Sequence, residues 1–169
     1  YLGIGAAWYE DEAIGYGIPY PSTSERFEQL EDSLQLAKAL WSGDETSFEG
    51  KYFSAPAITN NPQPLSNPHP RIMIGGTGPN KTLRMVAQYA DACNIGDWVG
   101  KENMQKGLDT LKEHCESLER DYDAIEKTSL GTVHLSERDT IDGVVKRIKD
   151  LSTMGFTHAI FNMPDVYKI

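Results

Sequence analysis

The chain has 169 residues, of which 39% are hydrophobic and 24% charged, with 15 Gly, 9 Pro and 2 Cys. This is the profile of a globular domain long enough to bury a core, and it excludes collagen, a disordered tail and a disulfide-stapled miniprotein. With 25 acidic against 16 basic residues the formal charge is -9, and no local cluster of cations offsets it, so nucleic acid is not an expected partner.

No apolar run approaches the roughly 18–20 residues of a bilayer span, so no membrane partner is expected either. Cys93 and Cys115 show neither C-x-x-C nor zinc spacing and lie in apolar-periodic stretches. They are expected as buried, reduced thiols of a cytoplasmic protein. The four histidines have no metal-ligand spacing, and no metal is expected.

In chain order, Tyr1–Gly5 reads as the middle of a buried strand, which suggests that something upstream is missing. A polar, aromatic loop follows from Ala6 to Pro21. Ser22-x-x-Glu25 is a capping-box signature. Behind it Phe27, Leu30, Leu34, Ala37 and Trp41 recur at helical spacing, with Gly43 at the stop. Residues 44–70 read as irregular apart from a small hairpin at 48–53, because Pro56, Pro62, Pro64, Pro68 and Pro70 oppose regular structure.

Arg71–Ile74 is a second strand running into Gly75-Gly76-Thr77-Gly78, and Pro79 is expected at the first position of a helix bearing Leu83, Val86, Ala87 and Ala90. Asp91–Ile95 is a third strand, and Met104, Leu108, Leu111, Cys115 and Leu118 mark a docked helix. Ser129–Leu135 is a fourth strand. Thr140 caps a helix bearing Ile141, Val144, Val145, Ile148 and Leu151, Gly155 ends it, and His158–Asn162 is a fifth strand. Strands separated by helices predict right-handed parallel crossovers and an α/β fold. An open doubly wound sheet and part of a (β/α)8 barrel both fit.

The stretch Gly75–Thr82 carries the most chemistry. A strand ending in glycines ahead of a helix presents free amides to one point, and residues without a Cβ let an anion approach the main chain. A plain tight turn is the competing reading. The segment nearly spells a P-loop, but Asn80 stands where that loop needs its second glycine, and Pro79 deletes an amide. Gly3-Ile4-Gly5 begins like a dinucleotide fingerprint, yet Trp8 occupies a position that requires a small residue. Trp8 followed by Glu10, Asp11 and Glu12 just past a strand suits either a flat heteroaromatic ligand or simple packing under a loop.

Taken together, several segments resemble the bacterial-luciferase-like flavin and deazaflavin oxidoreductases. They are Gly3–Glu10, Tyr16–Pro19, Arg26–Glu31, Leu40–Gly43, Phe48–Phe53, Ile72–Gly78 and Thr82–Asn94. The match covers most of residues 1–120, is strongest to the branch that uses the deazaflavin F420, and weakens towards the C-terminus. The resemblance implies a TIM barrel with a flat tricyclic cofactor at the C-terminal ends of its strands. The 169 residues and five strands would then be the C-terminal portion, about strands four to eight, since a complete barrel takes roughly 250 residues.

Carried over by position, Gly75, Gly76 and Thr77 would bind the cofactor phosphate through backbone amides, and Gly78 would shape the turn. Trp8 would lie near the ring system, and Glu12 would contact it or a neighbouring side chain. The implied chemistry is hydride transfer between F420 and a small organic substrate. The alternatives are an FMN-dependent monooxygenase and, of another class, a non-catalytic cofactor-binding or assembly subunit. No catalytic acid or base is assigned. Residues 48–53 offer a contact for a homo-oligomer. Gly76→Val is expected to crowd the phosphate while leaving folding intact.

Overall fold

Ser22 sets where the first long helix starts. Its Oγ accepts from the Glu25 N–H at 3.3 Å, while the Glu25 carboxylate takes the Ser22 N–H at 3.0 Å, closing the expected capping box. The helix so begun, α2 (Thr23–Leu40), buries Leu30 and Leu34, and Gly43 beyond it takes a φ of +93°. The computed structural model describes residues 1–43, 45–135, 138–164 and 166–168; Asp44, the first residue of the segment read as irregular, lies outside these.

The chain divides into two units, Tyr1–Ile72 and Met73–Ile169. The first holds β1 (Leu2–Ile4), a short helix α1 (Glu10–Gly15), α2, and an antiparallel hairpin of β2 (Thr46–Glu49) and β3 (Ser54–Ile58). Two of these correct the sequence reading. The loop Ala6–Pro21 contains α1, whose first turn is acidic at Glu10, Asp11 and Glu12, the charge that a helix N-terminus favours. Pro56 lies inside β3: in a two-stranded sheet both strands are edges, and the ladder is already irregular between Thr46 and Phe48, so a missing N–H is tolerated. The buried Asp32 of α2 holds the hairpin turn by accepting from the Tyr52 N–H at 2.6 Å.

The second unit alternates strand and helix: β4 (Ile72–Gly75, whose first residue falls in the first unit), α3 (Thr82–Tyr89), β5 (Ala92–Gly96), α4 (Lys101–Ser117), β6 (Glu126–Thr132), α5 (Ile141–Thr153) and β7 (His158–Asn162). In the second unit the sheet runs in the order β4-β5-β6-β7. Within the first unit the Leu2 N–H donates to the Arg71 carbonyl just ahead of β4. Across the second unit β4 through β7 pair in parallel, with Gly75, Asn94, Thr128 and His158 in one row. This is the α/β architecture expected from helix-separated strands.

One face of these strands is covered. Ile95 packs with Met104 and Leu108 of α4 and with Leu151 and Phe156, and Ile72, Ile74 and Cys93 are fully buried. β6 begins three residues earlier than its sequence suggests, because its charged start is satisfied locally. The Lys127 ammonium donates to the Tyr122 carbonyl at 2.7 Å and lies 3.8 Å over the Tyr122 ring. Thr140 caps α5 as expected, but of the apolar residues read onto that helix Leu151 is buried whereas Ile141, Val145 and Ile148 are exposed. Among the described residues no helix is long and apolar enough to cross a membrane.

α3 ends without a basic residue in its last turn, and Arg120 supplies one from beyond α4. Its guanidinium donates to the carbonyls of Val86, Ala87 and Ala90 at 2.6–3.2 Å. Arg120→Met is therefore expected to cost about 1.5–3 kcal/mol, read as a shift of the urea midpoint, with Lys recovering part of it.

Burial pushes the Cys93 thiol up to about 11 from 9.0, and burial followed by the charge of Cys93 pushes Tyr122 up to about 12 from 10.0. Both folded-state values are raised and both groups are neutral when protonated. Their stabilisation is complete below the ordinary pKa and is lost as pH rises through the folded one. The urea midpoint should hold through neutral pH and fall from about pH 9 upwards, and Cys93→Ala should remove the earliest part of that fall.

Candidate functional site

The bend after β4 is built from three facts of backbone geometry. Ile74 is fully buried, which fixes the strand up to the residue before Gly75. The Gly76 N–H donates to the Asn94 carbonyl at 2.9 Å, prolonging the ladder to β5 by one bond, and Gly76 itself takes a φ of +122°. The chain then leaves the sheet, and no partner takes the N–H groups of Thr77, Gly78 or Asn80 among the described residues. Two consecutive unspent donors, Thr77 and Gly78, thus lie just past the C-terminal end of a buried parallel strand and ahead of α3, where a helix adds further positive potential.

Pro79 does not open the helix as its sequence position suggests. The Gly78 carbonyl accepts from Leu83 and the Lys81 carbonyl from Met85, both at 3.0 Å, so regular helix starts at Thr82 and Pro79 belongs to the turn before it. Thr82 is buried under the bend. A Cβ on Gly76 would approach its Cγ2 to 3.2 Å and a Cβ on Gly78 its Oγ1 to 2.8 Å, whereas a Cβ on Gly75 would meet the Asn94 carbonyl at an ordinary 3.8 Å. Gly76 and Gly78 are thus small for an internal reason as well as for any ligand. His114 of α4 ties the turn down, its Nε2 2.7 Å from the Pro79 carbonyl.

A cavity of about 600 Å3 adjoins the bend, between Thr77 and Pro79 on one side and Asn103, Lys106 and Thr110 of α4 on the other. Its basic group is engaged, the Lys106 ammonium lying 2.7 Å from Glu102, and Asp109 and Glu113 line the same wall. An anion therefore finds better donors in the main chain of the bend than in this cavity.

Of the residues singled out from sequence, Gly75, Gly76, Thr77 and Gly78 form this bend in the second unit. Trp8 and Glu12 belong to the first. Trp8 is 86% exposed and stacks on Tyr9 with ring centroids 5.3 Å apart; Glu12 is exposed in the first turn of α1. The loop bearing them is held by Arg26, whose guanidinium donates to the carbonyls of Ala6 and Pro21 and lies 4.0 Å over the Tyr20 ring.

Sequence reading placed Thr82 and Asn94 in its matched stretches without giving either a role, and did not bring Asn94 together with Thr128, where the Asn94 amide donates to Thr128 Oγ1 at 2.7 Å. It also missed the ion pair of Asp97, just past β5, with Arg147 of α5. That pair lies against Gly131, where an added Cβ would have to displace the ends of the Arg147 and Asp97 side chains, and Arg147 also donates to the Thr132 carbonyl at 2.9 Å. Partners fifty residues apart leave no local signal; a glycine inside an otherwise β-forming run was the available hint. Among the described residues no group of three or more His, Cys, Asp or Glu is placed to hold a metal ion.

Parallel strands with crossover helices and an amide-bearing bend at their C-terminal ends define an α/β fold of the kind whose ligand sites generally lie beyond the strand ends. Residues 1–156 match the family model described as luciferase-like monooxygenase, and the chain belongs to that family. It is 31% identical over 132 residues to an F420-dependent glucose-6-phosphate dehydrogenase of Gordonia bronchialis, covering 75% of this chain and 37% of that protein. It is 30% identical over 97 residues to an FMNH(2)-dependent dimethylsulfone monooxygenase of Pseudomonas putida, covering 57% of this chain and 25% of that protein.

In fold the chain is similar to an F420-dependent secondary alcohol dehydrogenase solved with an F420-acetone adduct. The TM-score is 0.81 at 15% identity, over 98% of this chain and 64% of that one. A coenzyme F420-dependent tetrahydromethanopterin reductase of Methanopyrus kandleri gives a TM-score of 0.78 at 12% identity, over 98% and 70%. The chain thus spans well under half the length of the two curated relatives named.

The φ of Gly76 corrects the expectation that Gly76→Val spares folding, since a φ of +122° strains any L side chain whatever the space around it. Gly76→Ala should destabilise by about 1–3 kcal/mol in urea unfolding, and Gly75→Ala by a few tenths, because its Cβ meets only ordinary contacts.

Proposed function

We propose that the chain is part of an F420-dependent oxidoreductase that transfers a hydride between the deazaflavin and a small organic substrate. Within that reading residues 1–169 correspond to the C-terminal portion of a luciferase-like barrel, about strands four to eight. The observation that carries it is the pair of unspent amides at Thr77 and Gly78, past a buried strand end, in a chain of this family. The relatives that use F420 or FMN support the cofactor class.

The bend fits a phosphate tail by its own chemistry. Thr77 and Gly78 offer two adjacent N–H donors, and exposed Gly75 and Gly76 present no side chain to an approaching oxygen. Gly76 differs in role from its neighbours: its own N–H is committed to Asn94, so it turns the chain and leaves binding to Thr77 and Gly78. When bound, a deazaflavin supplies a two-electron hydride site on a flat ring, and the protein's part is to hold, orient and exclude water. Trp8 is assigned to the ring system and Glu12 to a polar contact on the family pattern, each testable by its own Ala variant.

The second reading, an FMN-dependent monooxygenase, is favoured by the dimethylsulfone monooxygenase relative and would use the same amides for the FMN phosphate. Titration with F420, with FMN, and with the phosphate-free forms of each ring separates these. F420 should bind more tightly than FMN, and removing the phosphate tail should weaken binding by about tenfold or more, two charge-assisted hydrogen bonds being lost. Gly75→Val should weaken the phosphate-bearing form alone. Equal affinity with and without phosphate would overturn the assignment of the bend, and tighter binding of FMN would favour the second reading.

A further inference from the structure

A polar pair in the row of Gly75 joins the bend to the middle of the sheet. The strand Ala92–Gly96 is apolar or glycine apart from Asn94, a residue that strands disfavour. Thr128 is 1% exposed, although a valine would match it in shape and in strand preference. Both carry a polar group where an apolar one would fit, and the two groups meet. The Asn94 Nδ2 donates to Thr128 Oγ1 at 2.7 Å, and Thr128 Oγ1 donates to the Cys93 carbonyl at 2.8 Å.

A hydroxyl has one proton, and this fixes the direction of the arrangement. Of the two acceptors beside Thr128 Oγ1, the Cys93 carbonyl is closer than Met73 Sδ at 3.5 Å, so the proton goes to Cys93 and a lone pair is left for Asn94. With the Asn94 amide turned over, its Oδ1 and the Cys93 carbonyl would contend for that one proton. The bonds therefore close a ring, from Thr128 Oγ1 through the Cys93–Asn94 peptide and the Asn94 side chain back to Thr128 Oγ1. Such a ring holds the Asn94 backbone and its side-chain torsions together.

Asn94 is also the residue from which the bend hangs, its carbonyl taking the Gly76 N–H at 2.9 Å. From the β4 side Gly75 brings no side chain against it; even an added Cβ there would stop 3.8 Å from the Asn94 carbonyl and 4.0 Å from its Cβ. Thr128, on the β6 side, is thus the group that steadies Asn94, two strands away from the amides of Thr77 and Gly78. We propose that Asn94 and Thr128 are positioning residues of the bend. The Thr128 hydroxyl holds Asn94, Asn94 holds the Gly76 amide, and the Gly76 bond sets the aim of the next two N–H groups. The word positioning rests on the reading of the bend as a phosphate site; the chain of hydrogen bonds does not.

The test compares three variants of the whole chain: Thr128→Val, which keeps the shape and removes the hydroxyl, Thr128→Ser, which keeps the hydroxyl, and Asn94→Leu. Amide hydrogen exchange reads the Gly76 bond, with the Ala90 N–H on the Val86 carbonyl as internal control. Protection at Gly76 should fall about fivefold or more relative to Ala90 in Thr128→Val and Asn94→Leu, and stay within about twofold of the parent in Thr128→Ser. Titration with F420 and with its phosphate-free form should follow the same order. The ratio of the two affinities should fall about threefold or more in the Val and Leu variants, with the phosphate-free form bound as in the parent, and recover in Thr128→Ser.

A purely structural role would lower protection at both amides and affinity for both forms alike. That result overturns the proposal, as does unchanged Gly76 protection in Thr128→Val. A parent that binds both forms equally, or neither, overturns the phosphate reading and with it the positioning role. Discrimination that is present in the parent and survives loss of the hydroxyl overturns the positioning role alone.

Discussion

One hydrogen bond governs the candidate site: the Gly76 N–H on the Asn94 carbonyl. It extends the β4–β5 ladder past the residue where the side-chain pattern ends, and only then does the chain turn out at a φ of +122°. If the strands parted one residue earlier, the Gly76 amide would join the free donors and the turn would lose its anchor. With the bond made, no carbonyl among the described residues takes the next two amides, and α3 begins only at Thr82. The availability of Thr77 and Gly78 thus follows from where the sheet stops.

The same constraint explains the small residues of the bend. Thr82, at the helix start, fills the space under Gly76 and Gly78 that side chains would otherwise need. A glycine-rich turn and a buried threonine form one packed unit, held at its far side by His114 on the Pro79 carbonyl. Internal packing and access for a ligand require the same residues here. The glycines alone could not have told the two readings apart; Gly78 is exposed, so its amide is open to water as well as to a ligand, and the proposed binding rests on where these donors lie, just past a buried strand end.

Much of the fold was legible because its signals are local. The capping box at Ser22 and Glu25 and the apolar spacing of α4 each act within a few residues and hold in the structure, except that Leu118 falls at the exposed C-cap rather than on the buried face. What was not legible depends on distant partners. Glu126 and Lys127 look too charged to open a buried strand until Tyr122 and Asp123 are seen beside Lys127 and His158 beside Glu126. Pro56 looks like a strand breaker until its strand proves to be an edge. The bend itself could be found from its glycines, but the division of labour within it could not, since nothing in the sequence shows that Asn94 takes the Gly76 amide.

Electrostatics explains why main-chain donors suit this protein. The chain carries a formal charge of -9, and beside the bend the Lys106 ammonium faces Glu102, with Asp109 and Glu113 on the same wall. A lysine added to hold an anion would compete with those acids for its partner, and it would be flexible and screened by salt. Backbone N–H groups cannot be neutralised by a neighbouring aspartate, lose no side-chain entropy on binding, and keep their direction because β4 is buried to Ile74. In an acidic protein a glycine bend can therefore offer donors to an anion where an added lysine would be neutralised by its neighbours.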